Sequence, residues 1–285
     1  MKLGVSTYSL YKAIQSGEMD VLDVIEWTAA AGGEHVELVP VGYDLHKQDG
    51  LAEQIRSKAA ECGIELSNYA VRGNLITESE ESFHAEIARL KTEVDMAVRL
   101  GVKLLRHDAA THPDTSIRHY RKQFARLTEG CREIADYAAG FGITTSIENH
   151  GYFLQASDRV LGLVDAVDRE NFRTTLDIGN FVVVDEDPLA AVQKNAPYAS
   201  MVHFKDFYIR PGDRDPGGGW FRSAAGRYLL GAVAGHGDLE LAAITSAVKN
   251  SGYDGFISIE FEGREECKVG TQLAMENVRR LWEQA

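Results

Sequence analysis

The chain has 285 residues, above the ~250 typical of one α/β barrel and too long for a small sandwich, and its 44% hydrophobic content supplies a sizeable core. Its 43 acidic against 30 basic residues give a formal net charge of −13, which argues against nucleic acid or an anionic membrane face as partner while leaving room for a small anionic ligand at a local cluster. Cys62, Cys131 and Cys267 form no Cys-x-x-Cys pair and read as reduced, packed thiols of a cytoplasmic protein. The N-terminus, Met1-Lys2-Leu3-Gly4-Val5-Ser6-Thr7-Tyr8, turns polar too soon for a signal peptide, and no apolar run approaches the ~18 residues of a membrane span.

Strand-like runs fall at 3–8, 35–39, 64–71, 102–108, 143–149, 172–178, 200–206 and 256–261. Most are about 30 to 40 residues apart, the size of one β-loop-α unit. Amphipathic helical stretches lie between them at 21–31, 51–62, 83–100, 120–139 and 239–249, and several stop at glycine: Cys62-Gly63, Leu100-Gly101 and Phe141-Gly142. Eight alternations without a compositional break predict a (β/α)8 TIM barrel, one catalytic domain over 1–285. A doubly wound open sheet would carry a Gly-rich loop after its first strand, and Ser6-Thr7-Tyr8-Ser9-Leu10 is not one. The surplus in the last interval falls at 208–237, with Pro211-Gly212-Asp213 and Pro216-Gly217-Gly218-Gly219-Trp220. It reads as a long active-site loop at the C-terminal end of the seventh strand.

Alternation along the later strands places polar groups inside the barrel. In 143–149, Ile143, Thr145 and Ile147 share the outward face, so Glu148 points inward near the mouth. By the same test Leu176 faces out and Asp177 in; Val202 and Phe204 face out, with Met201, His203 and Lys205 in; Ile257, Ile259 and Phe261 face out, leaving Ser258 and Glu260 in. Four consecutive strands therefore deliver Glu148, Asp177, His203 and Glu260 to one rim. A lone strand-end Asp is more often a turn or helix cap and a lone His a satisfied structural group, but three carboxylates converging in one cavity repel unless a cation neutralises them. Three carboxylates with one imidazole favour Mn²⁺ or Mg²⁺, with Co²⁺ and Zn²⁺ also suited, and the absence of thiolates argues against a structural zinc.

The stretches "SIENHG", "TTLDIGN", "MVHFKD" and "ISIEFEG" resemble the strand-end signatures of the sugar phosphate isomerase/epimerase group with the xylose-isomerase-like barrel. That group includes ketose 3-epimerases, hydroxypyruvate isomerases and the inositol-catabolism isomerase and dehydratase. The resemblance covers essentially the whole chain, and it implies that Glu148, Asp177, His203 and Glu260 bind one divalent metal, with Glu148 and Glu260 doubling as acid and base. Three positions depart from the ketose 3-epimerase pattern. Asn180 replaces a substrate-touching His three residues after the metal-binding Asp. The Arg expected six residues after the metal-binding His falls one later, at Arg210, with Ile209 in its place, and the usual Gly-Glu-Gly is Gly235-His236-Gly237. The superfamily chemistry carries over; a particular ketose epimerase assignment does not.

Other polar residues carry two readings each. Lys205 polarises a substrate oxygen or pairs with Asp206 or another carboxylate. Arg106 binds a substrate carboxylate or phosphate or makes a structural salt bridge, its strand face being ambiguous. Glu37, which shares a face with His35, supports the ligands or only the fold. Trp220 and Phe221 form a lid over a sugar or a packing or subunit contact. Asn149 and His150 read as supports of the ligands, and Asn180, Lys205, Arg210 and Trp220 are the expected substrate contacts. The expected reaction moves a proton on a carbon next to a carbonyl through an enediolate, giving epimerisation or aldose–ketose isomerisation. Dehydration or β-elimination of a keto-sugar or keto-inositol starts from the same intermediate. A hydrolase like the apurinic-site endonucleases would need additional histidines and tolerates this acidity poorly; a non-catalytic sugar-binding barrel is the remaining class. The expected partner is a small sugar or sugar derivative, phosphorylated or not, and the chain itself in a dimer or tetramer.

Overall fold

All eight expected strands form, and they close into one parallel barrel. The computed structural model describes residues 1–285. The chain runs β1 (Lys2–Ser6), α1 (Tyr11–Ser16), α2 (Val21–Ala30), β2 (His35–Leu38), α3 (Leu51–Cys62), β3 (Glu65–Val71), α4 (Glu80–Leu100), β4 (Leu104–His107) and α5 (Ile117–Ala139). It continues through β5 (Thr144–Glu148), α6 (Ser157–Val167), β6 (Phe172–Asp177), α7 (Pro188–Asn195), β7 (Ala199–Phe204) and β8 (Asp206–Arg210). The last elements are β9 (Phe221–Arg222), β10 (Tyr228–Ala232), α8 (Leu241–Asn250), β11 (Phe256–Ile259) and α9 (Cys267–Gln284). Around the barrel the order is β1-β11-β7-β6-β5-β4-β3-β2, returning to β1.

Local chemistry sets the helix ends. Asp20 and Asp23 form a capping box at the start of α2, and Ser79 and Ser82 another at α4. Gly63 and Gly101 end α3 and α4 in the left-handed region (φ 67° and 76°), a conformation with no Cβ penalty for glycine, and their amides bond back to the last-turn carbonyls. The stop expected at Gly142 comes earlier: α5 ends at Ala139, and Gly142 takes the left-handed turn (φ 65°) that leads into β5.

The apolar core lies between the barrel and its helices. Leu105, Ile147, Leu176, Val202, Phe204 and Ile259 turn outward into it and are fully buried. The barrel interior is polar by contrast, as at the Ser146 Oγ–Thr175 Oγ1 bond of 2.8 Å. On the strands that carry Glu148, Asp177, His203 and Glu260, the outward apolar neighbours leave these groups turned inside.

The segment 208–237, expected as a loop, is mostly turn and irregular chain but holds short strands. β8, β10 and β9 form a three-stranded antiparallel sheet in the order β8-β10-β9. Two carboxylates moor it. Asp185 accepts from Ser223 Oγ at 2.8 Å, Ala225 N at 2.5 Å and Arg227 Nε at 2.6 Å. Asp206 accepts from the amides of Phe207 at 2.8 Å and of Gly235 and Gly237 at 2.9 Å. A Cβ on Gly237 would stand 2.2 Å from Asp206 Oδ1, so this close approach requires glycine there.

Candidate metal centre

Glu148, Asp177, His203 and Glu260 stand at the C-terminal ends of β5, β6, β7 and β11. All four are buried, and one ligand atom from each lies within 4.8 Å of the other three. His203 Nδ1 faces Glu148 Oε1 at 3.6 Å and Glu260 Oε1 at 3.8 Å. His203 Nδ1 is buried without a hydrogen-bond partner, and Asp177 Oδ2 has only Lys205 Nζ nearby, at 3.4 Å. An unpaired buried nitrogen is costly, and one turned toward buried carboxylates suits a cation. The spacing suits an ion bonding at about 2.0–2.4 Å, the range for oxygen and nitrogen ligands of small divalent ions.

Charge tells the same story. Four buried carboxylates (Glu37, Glu148, Asp177 and Glu260) crowd two buried cations, Arg106 and Lys205, and the His203 imidazole. Arg106 Nη2 lies 2.6 Å from Glu148 Oε2 and its Nη1 donates to Asp108 at 3.0 Å. Burial pushes the Glu148 carboxyl up, but Arg106 and His203 outweigh it and hold it well below the usual carboxylate range. Asp177 goes the other way. Burial, helped by Glu260 and Glu148, pushes it up to about 7 against the pull of Lys205. Without further positive charge the three carboxylates do not all ionise easily.

Neighbours fix the groups of the cluster. Asp177 Oδ1 accepts from the amides of Gly179 and Asn180, at 2.8 and 2.9 Å, which leaves Oδ2 free. Asn149 clamps the Asp177 backbone from β5, donating to its carbonyl at 2.8 Å and accepting from its amide at 2.9 Å. Asn180 Nδ2 donates to Glu148 Oε1 at 3.2 Å. Lys205 Nζ lies 2.5 Å from Glu260 Oε2 and 3.4 Å from both Asp177 Oδ2 and Glu262 Oε2. Of its two expected ion-pair partners it takes the neighbouring carboxylates, because Asp206 is committed to the amides of Gly235 and Gly237 that follow β10.

A cavity of about 610 Å³ opens above the cluster, bordered by Arg106, Glu148, Lys205 and Glu260 on one side. Asp177 and His203 lie beneath it. Its far wall was not legible as a site. There Glu93, buried in mid-α4, accepts from Tyr69 Oη at 2.8 Å and Arg89 Nη1 at 3.2 Å and meets His46 Nε2 at 2.9 Å. The one available signal was a carboxylate among the apolar positions of α4, between Leu90 and Val94. His150 also borders the cavity, 4.0 Å from Asp108. Arg210 and Trp220 are not brought to the cluster. Arg210, at the end of β8, pairs with Asp238 at 2.8 Å and lies 5.7 Å from the ring centre of Trp220, which precedes β9, and neither borders the cavity.

With this geometry in view, the similarities are specific. The sequence model of the xylose isomerase-like TIM barrel family matches residues 25–283. An inosose dehydratase of Lacticaseibacillus casei is 26% identical over 141 residues, 49% of this chain and 47% of that protein, so the chain spans about half the length of the curated relatives it matches. Among solved structures, D-psicose 3-epimerase from Clostridium cellulolyticum H10 with D-tagatose superposes with a TM-score of 0.77 at 17% identity, covering 99% of both chains. A xylose isomerase-like TIM barrel protein from Mycobacterium smegmatis in complex with magnesium gives 0.68 at 20% identity, covering 92% of this chain and 88% of that one. At these identities the structures share the fold.

Proposed function

The chain belongs to the xylose isomerase-like TIM-barrel family, and from that premise we propose that it is a divalent-metal-dependent isomerase or epimerase of a small sugar or sugar derivative. The observation that carries the reading is the pair Glu148 and Glu260: two glutamates border one cavity above a buried His–Asp floor, each next to its own cation. Glu148, Asp177, His203 and Glu260 would hold the ion, Mn²⁺ first among candidates, and when bound it supplies Lewis-acid stabilisation of charge developing on a substrate oxygen.

The chain's own residues do the proton work. One glutamate removes the proton from the carbon beside a carbonyl and the other returns it, to the opposite face for epimerisation or to the neighbouring carbon for isomerisation. Lys205, with three donors at the cavity edge, holds a substrate oxygen; Arg106 keeps Glu148 anionic and ready to accept a proton. Asn180 orients Glu148 through its amide. A cytoplasmic setting and self-assembly into a dimer or tetramer belong to the same proposal; the three cysteines are free, and no helix is long and apolar enough to cross a membrane.

A second reading is favoured by the similarity to inosose dehydratase: after the same proton removal, a hydroxyl leaves from the next carbon of a keto-sugar or keto-inositol. One experiment separates the two. Metal-loaded protein is offered aldo- and keto-sugars, inositol derivatives and their phosphates in D2O with Mn²⁺, and products are read by NMR and mass. An isomer carrying one solvent deuteron supports the first reading; a product lighter by one water supports the second. Failure to exchange or convert any of the panel would count against both.

A further inference from the structure

Glu37 lies fully buried on β2, across the barrel interior from the metal cluster. A carboxylate there is expensive unless its charge is used. Its partners are few. His203 Nε2 donates to Oε1 at 3.0 Å and stands 2.8 Å from Oε2, and Asn68 Nδ2 on β3 donates to Oε1 at 2.8 Å. The imidazole is thereby held with its Nε2 proton on Glu37. Its other nitrogen, Nδ1, is buried, has no hydrogen-bond partner, and turns toward Glu148 and Glu260.

We infer that Glu37 is a positioning residue for the metal site: acting through His203, it fixes the ring orientation and the tautomer that leaves Nδ1 free for the ion. Carboxylate, imidazole and cluster lie in one line from β2 through β7, and a carboxylate behind a ligating imidazole makes that ligand more basic. Arg106 and Lys205 pair directly with Glu148 and Glu260; Glu37 touches none of the three carboxylate ligands and reaches the cluster only through the imidazole. If Glu37 merely filled the interior with polar atoms, its neutral isostere would serve as well.

Glu37→Gln separates these roles. The amide has one acceptor and one NH2 group. Either its oxygen keeps the Asn68 bond and its NH2 opposes the Nε2 proton, driving that proton to Nδ1, or Asn68 turns over and geometry survives without the negative charge. Both arrangements weaken the ion's nitrogen ligand. Mn²⁺ affinity of the full chain, measured by competition with a chromophoric chelator, should fall ~10–100-fold, the usual cost of losing such a partner. The melting temperature of the metal-free protein should stay close to wild type, and the ¹⁵N shifts of His203 should move. Wild-type affinity in Glu37→Gln overturns the inference. Should that variant not fold, Asn68→Ala keeps the carboxylate but frees it, and a folded Asn68→Ala protein with unchanged affinity and unchanged His203 shifts also overturns it. The inference rests on the metal centre proposed above: a wild type that binds no Mn²⁺ overturns both, whereas a binding wild type with an equally tight Glu37→Gln variant overturns only the role of Glu37.

Discussion

The two halves of the barrel present opposite chemistry to the same interior. β5, β6, β7 and β11 contribute Glu148, Asp177, His203 and Glu260, whose free atoms converge within 4.8 Å. β2, β3 and β4 contribute Glu37, Asn68 and Arg106, none of them in that cluster, yet two of the four ligands are held from there: His203 by Glu37 and Glu148 by Arg106. A cluster of like charges cannot orient itself. One half supplies the four groups, and the other adds counter-charge and hydrogen bonds that aim two of them, alongside Lys205, Asn149 and Asn180 of the first half.

The largest effect should come from emptying the ligand half. Removing bound metal with a chelator should cost on the order of 1,000-fold in turnover, several kcal/mol of transition-state stabilisation, and added Mn²⁺ should restore it. Asp177→Ala should show the same loss without restoration; full activity and full metal content in that variant would remove Asp177 from the site.

Breaking the supporting half should register as stability. Arg106→Ala leaves Glu148 as an uncompensated buried charge, which typically costs about 3–5 kcal/mol. Chemical unfolding of the metal-free variant should show that loss, and Mn²⁺ should shrink it by supplying the missing positive charge. If the loss is the same with and without Mn²⁺, Arg106 and the ion do not share a role.

The two glutamates sharpen the comparison within the ligand half. Glu148→Gln and Glu260→Gln each keep a carbonyl oxygen for the metal but cannot carry a proton at neutral pH. Each should retain metal and lose at least ~100-fold in turnover. One of them should still exchange the substrate's proton with D2O while forming no product, and wild-type turnover in both metal-loaded variants would refute the proton-transfer mechanism. The smallest effect is expected outside both halves. Trp220→Ala should change KM by about twofold or less, because the ring stands over Arg210 and not over the cavity; a KM raised tenfold would mean that this sheet closes onto the ligand in solution.

The convergence of the four groups was legible because strand alternation is a property of the backbone. Once Ile147, Leu176, Phe204 and Ile259 are assigned to the helix side, the faces of Glu148, Asp177, His203 and Glu260 follow. Arg106 was harder, since Leu104 and Leu105 precede it on adjacent positions and leave the face undecided; closure of β4 between β3 and β5 turned it inward. The family departures proved uneven. Asn180 still reaches Glu148, whereas Arg210 pairs with Asp238 outside the cavity.

Pattern and composition alone thus determined the barrel, its eight strands, the glycine ends of α3 and α4 and the inward faces of the four converging groups, because each depends on periodicity within a short segment. Tertiary structure alone decided what stands opposite each of them. The Glu37–His203 pair joins residues 166 positions apart across the closed barrel. Glu93 becomes a cavity wall only when His46 folds over α4, and 208–237 becomes a sheet only when Asp185 and Asp206 gather its amides. Alternation fixes the direction in which a side chain points; the partner that meets it is chosen by closure of the chain, and no local pattern encodes that distance.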